Sequence, residues 1–234
     1  MFRHITARSL AEGIEKSMRA LAEYSHIEER ENQDRMNEMK EIQLLLDITE
    51  PESEPFISKA MPCDLKTLIQ YEREFLDGTA DDLGWKYTYH GLYSPFYPKV
   101  LEELRRNIHS RRAVIALGQG DINFTPDPPC LQTLLFSVVN GALELTCLFR
   151  SNDGVKAFPM NIQAIAALQR KAAGDLGLPV GELHYIANNF HAYQNDFDQL
   201  DSYIKLFDRY GDDYRRKCYS WEQYMKKKEE MDNE

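Results

Sequence analysis

The sequence has few cysteines, no long apolar run and a deficit of positive charge. Its four cysteines, Cys63, Cys130, Cys147 and Cys218, form no CxxC pair and no zinc-ligand pattern. That excludes disulfide scaffolds and metal ribbons, and points to reduced thiols in a cytosolic protein with no metal. No stretch approaches the roughly 18 apolar residues of a membrane span. The amino terminus, MFRHITARSLAEG, lacks the apolar core of a secretory signal, so a cytoplasmic location is expected. There is no internal repeat and no glycine motif of the kind that cradles phosphate. Lys and Arg number 28 against 38 Asp and Glu, a net charge of -10. Long nucleic acid needs a basic surface, so it is a poor partner for this chain. One small anion needs only three or four local arginines.

What is present suits one core. With 43% hydrophobic residues in 234, the chain fits one large domain, 1–234, better than two small ones. Leu10, Ile14, Met18 and Leu21 fall at helical spacing and predict a helix from about Leu10 to Ser25. The polar run from His26 to Lys40 reads as a loop, and EIQLLLDI as a strand closed by TEPESEP. CDLKTLIQYEREFLDG reads as a helix capped by an aspartate and ended at Gly78. KVLEELRRNI predicts another helix, leading through HSRR to a strand, RAVIALG. LQTLLFSVVNGALELTCLFR holds Asn140-Gly141 between two apolar runs, a strong hairpin signal. A helix from Met160 to Ala173, a turn and a strand through GLPVGELHYIANNFHAY, and a charged, partly helical tail from about Tyr210 complete the pattern. Helices and strands interleave without a regular period, so the fold class is α+β.

Cys130 follows Asp127-Pro128-Pro129, and two prolines restrict the backbone ahead of it. Taken alone it is a small buried apolar residue. Ser110-Arg111-Arg112, Arg150-Ser151-Asn152-Asp153 and His191-Ala192-Tyr193 have equally plain single readings: a solvated basic face, a strand-end ion pair, a surface histidine.

Together these pieces resemble one family. PPCLQTLLF, LFRSNDGVKAFPMNIQAI and GELHYIANNFHAY, in that order and spacing, resemble the catalytic half of thymidylate synthase. Upstream, DRMNEMKEIQLLLDITEP resembles the family's phosphate-binding arginine loop and first strand, YEREFLDG the helix with its catalytic glutamate, and GWKYTYHGLY the aromatic segment that follows. ARSLAEGIEKSMRAL resembles the leading helix of the short archaeal-type members. The resemblance implies a mixed sheet flanked by helices, with one sheet face used for dimerisation.

It also implies roles. Cys130 is the nucleophile that adds to carbon 6 of a pyrimidine nucleotide, with Arg150 beside the sulfur to favour a thiolate. Glu72 is the general acid/base, with Glu74 as runner-up. Tyr89 helps remove the carbon 5 proton, with Tyr87 competing. Arg35, Arg150, Ser151 and the pair Arg111 and Arg112 hold the phosphate, the pair reaching across from the other subunit of a homodimer. Asn161 reads uracil, since its amide carries both a donor and an acceptor. His191 and Tyr193 hold the sugar 3′-hydroxyl. Asp153 meets the pterin of the co-substrate, 5,10-methylenetetrahydrofolate or a related methylene-tetrahydropterin, which Glu72 also serves.

The chain departs from the larger enzymes at Leu131, Phe149 and His90, where they carry histidine, glutamine and glycine, and in its charged tail. Nucleotide 5-hydroxymethylases share several of these features. The expected activity is therefore dTMP formation from dUMP. Hydroxymethylation of dUMP or of dCMP/CMP on the same fold, and a silent dimeric nucleotide-binding protein, are the alternatives.

Overall fold

A computed structural model describes residues 2–32, 36–81, 83–84 and 86–233. In chain order the elements are β1 (Phe2–Ala7), α1 (Leu10–Tyr24), β2 (His26–Asn32), β3 (Met36–Ile48), β4 (Ile57–Ser58), α2 (Leu65–Asp77), α3 (Tyr89–Tyr93), α4 (Tyr97–Arg106), β5 (Val114–Ala116), β6 (Leu131–Val139), β7 (Ala142–Phe149), β8 (Asn152–Asp153), α5 (Phe158–Leu176), β9 (Val180–Tyr193), α6 (Phe197–Tyr210), α7 (Tyr214–Lys217), β10 (Cys218–Tyr219) and α8 (Trp221–Asp232).

The main sheet runs β1-β3-β9-β7-β6-β5, with β2 on β3 and β8 on β9. It is mixed: β1 with β3 and β7 with β9 are parallel, whereas β3 with β9 and β6 with β7 are antiparallel. Alternation along the strands sends Leu44, Leu46, Ile48, Leu143, Leu145, Cys147, Leu183 and Tyr185 to one fully buried face. α1 and α5 contact strands of this sheet. Gly13 lets α1 approach closely, because a Cβ there would meet Ile48 Cδ1 at 2.4 Å. The opposite positions, such as Leu135, Glu144, His184 and Asn188, are half-buried or exposed. The fold is thus α+β with a mixed sheet flanked by helices.

Local chemistry accounts for the elements that hold the site. Asp64 caps α2 by accepting from Thr67 N at 2.8 Å, and Gly78 ends it in the left-handed conformation at φ 69°. Asn140 and Gly141 both take positive φ, 51° and 82°, as a two-residue hairpin turn between β6 and β7 requires. That turn sets Val139 opposite Ala142, and after a register shift between Leu131 and Thr133 it brings Leu131 opposite Phe149. Cys130 and Arg150 therefore face each other at the far end, joined by Arg150 N donating to Cys130 O at 2.9 Å.

The structure corrects the reading of His26 to Lys40 as a loop. β2 and the first part of β3 form an antiparallel pair from His26↔Glu41 outward. A strand paired on one edge by its main chain needs no apolar alternation, so a polar composition does not exclude it. β1 and α6 carry no assignment in the sequence reading. β1 is a parallel strand on β3, and α6 packs through Leu200, Tyr203 and Phe207.

The charged tail is anchored. β10 pairs with β4, and Trp221 stacks edge-on to Phe56 with ring centroids 4.5 Å apart. Arg170 lies over the Trp221 ring at 5.0 Å. No described helix is long and apolar enough to cross a membrane.

Candidate active site

One end of the sheet gathers the candidate residues. It comprises the entrance of β6, the exits of β7 and β9, and the short β8, whose Asp153 pairs with His191. Cys130 stands at that entrance, partly buried. Arg150 is clamped around it, donating from Nε to Pro129 O at 3.1 Å and from Nη2 to Pro128 O at 2.7 Å. The same Nη2 lies 3.7 Å from Cys130 Sγ. The two prolines thus present carbonyls that aim the guanidinium at the sulfur.

The electrostatics differ from the simple expectation. Burial pushes the Cys130 thiol above its ordinary value, Arg150 opposes this, and Asp127 adds to it. Arg150 thus favours the thiolate against the larger opposing effect of burial.

Ser151 Oγ lies 3.4 Å from His191 Nδ1, and the His191 and Tyr193 rings meet edge-on at 4.7 Å. Tyr193 senses Asp153, Cys130 and Arg150, its phenol raised first by burial and then by the two acidic neighbours. Asp153 Oδ1 accepts from Val155 N at 2.8 Å and Lys156 N at 2.9 Å, which orders the turn into α5. Asn161, in the first turns of α5, is buried, and its Oδ1 accepts from Tyr71 Oη at 2.6 Å. Tyr89 accepts from Leu131 N at 3.3 Å, so its hydroxyl sits beside the residue that follows Cys130. Burial drives the Tyr89 phenol strongly upward, so it remains neutral at physiological pH.

Beside these groups lies a cavity of about 300 Å3 lined by Tyr71, Glu74, Phe75, Lys86, Tyr87 and Tyr89 among others. Tyr71, Glu74 and Phe75 share one face of α2 by their i, i+3, i+4 spacing.

Glu72 lies apart from this cavity. Glu72 is buried and points away from Glu74; both carboxylate oxygens accept from Tyr224 Oη at 2.6 Å and Lys228 Nζ lies 2.9 Å from Oε1. Its partners come from α8, and it does not line the cavity; Glu74 does. Leu65, Leu68, Ile69, Glu72 and Phe75 are the buried residues of α2. A carboxylate on that stripe calls for a buried partner, which the tail provides.

Two further expectations lie apart. Arg111 and Arg112 are exposed and line a separate cleft of about 290 Å3 with Glu103, Arg106, Asn107, His109 and Ser110. That cleft shares no lining residue with the cavity near Cys130. Arg35 lies outside the described residues. Tyr71 was missed from sequence. Its signal was its spacing, three and four residues ahead of Glu74 and Phe75.

Cys130 thus stands at one strand end of a mixed sheet, clasped by Arg150, with Asn161 buried in the first turns of α5. The sequence model of the thymidylate synthase family matches residues 92–209, and the chain belongs to that family. A Methanocaldococcus jannaschii protein provisionally named a thymidylate synthase is 26% identical over 210 residues, covering 84% of this chain and 93% of its own. Another with that provisional name, from Methanosarcina barkeri, is 27% identical over 145 residues, 59% of this chain and 66% of its own. The thymidylate synthase of Streptococcus mutans is 34% identical over 113 residues, 46% of this chain and 40% of that enzyme.

Proposed function

We propose that this chain transfers a one-carbon unit to carbon 5 of dUMP through a transient Cys130 adduct, giving dTMP. The observation that carries the reading is the Arg150 guanidinium at 3.7 Å from Cys130 Sγ, held there by the Pro128 and Pro129 carbonyls. Carbon 5 of uracil is too weak a nucleophile on its own. Addition of the Cys130 sulfur to carbon 6 makes the ring an enolate, and carbon 5 then attacks. The carbon 5 proton leaves as the carbon–nitrogen bond between the transferred carbon and its donor breaks, and hydride addition to the resulting methylene expels the Cys130 sulfur from carbon 6 and restores the ring.

A methylene-tetrahydropterin supplies the carbon unit and a hydride. The cavity beside the site suits such a flat, polar heterocycle. Tyr87 and Tyr89 stand with centroids 6.3 Å apart, Phe75 closes the wall, and Glu74 offers a carboxylate. In this reading Glu74 takes the general acid/base work at O4, acting through water. Tyr89, kept neutral, guides the carbon 5 proton by hydrogen bonding. Arg150 and Ser151 bind the phosphate, with Arg35 and with Arg111 and Arg112 of a partner subunit. His191 and Tyr193 take the 3′-hydroxyl, Asp153 the pterin, and Asn161 the O4 and N3-H edge of uracil.

One observation supports a second reading. The tail is spent on Glu72, and no α8 residue lines the cavity. A site that admits water would end with hydroxide in place of hydride and give a 5-hydroxymethyl nucleotide. Incubation with dUMP and methylenetetrahydrofolate, with the product weighed by mass spectrometry, separates the two. A methyl gain is expected, a hydroxymethyl gain selects the second reading, and an unchanged nucleotide contradicts both.

A further inference from the structure

Asn161 is a side chain whose two ends look alike in shape and opposite in hydrogen bonding. A carboxamide that is free to turn shows its carbonyl or its amino group with equal ease. Such a group pairs with uracil in one orientation and with cytosine in the other. Reading one base therefore requires something that holds the amide still.

The structure supplies one candidate for that task. Tyr71 Oη donates to Asn161 Oδ1 at 2.6 Å. Asn161 is 5% exposed, and its main chain is fixed by donation from its N to Ala157 O at 2.9 Å. Tyr71 stands in the wall of the cavity next to the nucleophile, on the same face of α2 as Glu74. We infer that Tyr71 is a specificity-determining positioning residue: its hydroxyl holds the Asn161 carbonyl toward α2 and turns the amide N–H groups toward carbon 4 of the bound base. This rests on the assignment of a pyrimidine nucleotide to the site.

The consequence is a preference with a sign. An N–H aimed at carbon 4 finds an acceptor in the O4 of uracil and a donor in the amino group of cytosine. Burial, with Glu74 and Cys130 as neighbours, raises the Tyr71 phenol far above its ordinary value. Its proton stays in place across the working pH range, so the clamp does not switch with pH.

The test is a binding ratio, which a merely structural role would leave unmoved. Titration calorimetry with dUMP and with dCMP gives the two dissociation constants for the unmodified protein and for Tyr71→Phe, which keeps the ring. Loss of one hydrogen bond that orients the amide is expected to lower the dUMP preference by about 3- to 10-fold, with Tm reduced by only a few degrees. Tyr71→Met removes the hydroxyl in a second way and is read alongside, so that the result does not depend on one variant folding. In an Asn161→Ala background, Tyr71→Phe is expected to leave the ratio unchanged, since the group it acts through is gone. An unaltered ratio in the single variants would overturn the inference, as would an equal effect with and without Asn161. Failure of the unmodified protein to bind either nucleotide would overturn the functional reading, and this inference with it.

Discussion

Cys130→Ser is expected to lose at least about a thousandfold in turnover, because an alcohol ionises far less readily than a thiol and is a much weaker nucleophile at neutral pH. Nucleotide affinity should stay within a few fold of the unmodified protein. The serine hydroxyl is smaller than the thiol, and the Arg150 clamp rests on the Pro128 and Pro129 carbonyls, which the substitution leaves untouched. The measurement is product formation in parallel with a dUMP titration. Near-normal turnover in a folded, binding-competent Cys130→Ser protein would rule out covalent addition at this position. Loss of binding together with turnover would instead show that the sulfur organises the pocket.

Mixing two inactive proteins should restore activity. The motivating observation is that Arg111 and Arg112 line a cleft that shares no residue with the cavity near Cys130. Within one chain they are not brought to the nucleophile's pocket wall, and a second subunit can deliver them there. In a heterodimer of Arg111→Ala/Arg112→Ala with Cys130→Ser, one site has an intact cysteine and intact partner arginines, and the other has neither. With equal amounts and free exchange, half the dimers are mixed, so about a quarter of the unmodified activity should return. Mass-labelled subunits verify the exchange. Complete exchange without recovery would mean that the arginines do not serve a shared site.

Much of this arrangement was legible in the residues, for reasons that can be stated. Asn140-Gly141 set the hairpin because few residues tolerate two successive positive φ values, and the hairpin in turn sets Cys130 against Arg150. Asp64 and Gly78 bounded α2 through side-chain capping and a left-handed exit. β2 and the start of β3 were hidden because their pairing is made by the main chain, to which composition is blind. The choice between Glu72 and Glu74 turned on helix phase. Two residues along a helix rotate a side chain by about 200°, enough to move a carboxylate from the cavity to the opposite side. The partners of Glu72, Tyr224 and Lys228, lie some 150 residues away. The clamp of Tyr71 on Asn161 likewise joins residues 90 positions apart, a pairing that no local pattern encodes.

The depressed thiol expected from arginine proximity did not appear, because proximity competes with desolvation. Arg150 is close enough to lower the Cys130 value, yet burial outweighs it.

In the proposed reaction Cys130 activates carbon 5 of a bound uracil nucleotide whether a methyl or a hydroxymethyl group results. In either outcome the hydrogen on carbon 5 must leave. The most direct measurement is therefore the release of tritium to water from dUMP labelled at carbon 5, with methylenetetrahydrofolate present, by the unmodified protein and by Cys130→Ser. Release that matches product formation and disappears in the serine variant is expected. Tritium retained in the nucleotide, or released equally by the serine variant, would contradict it.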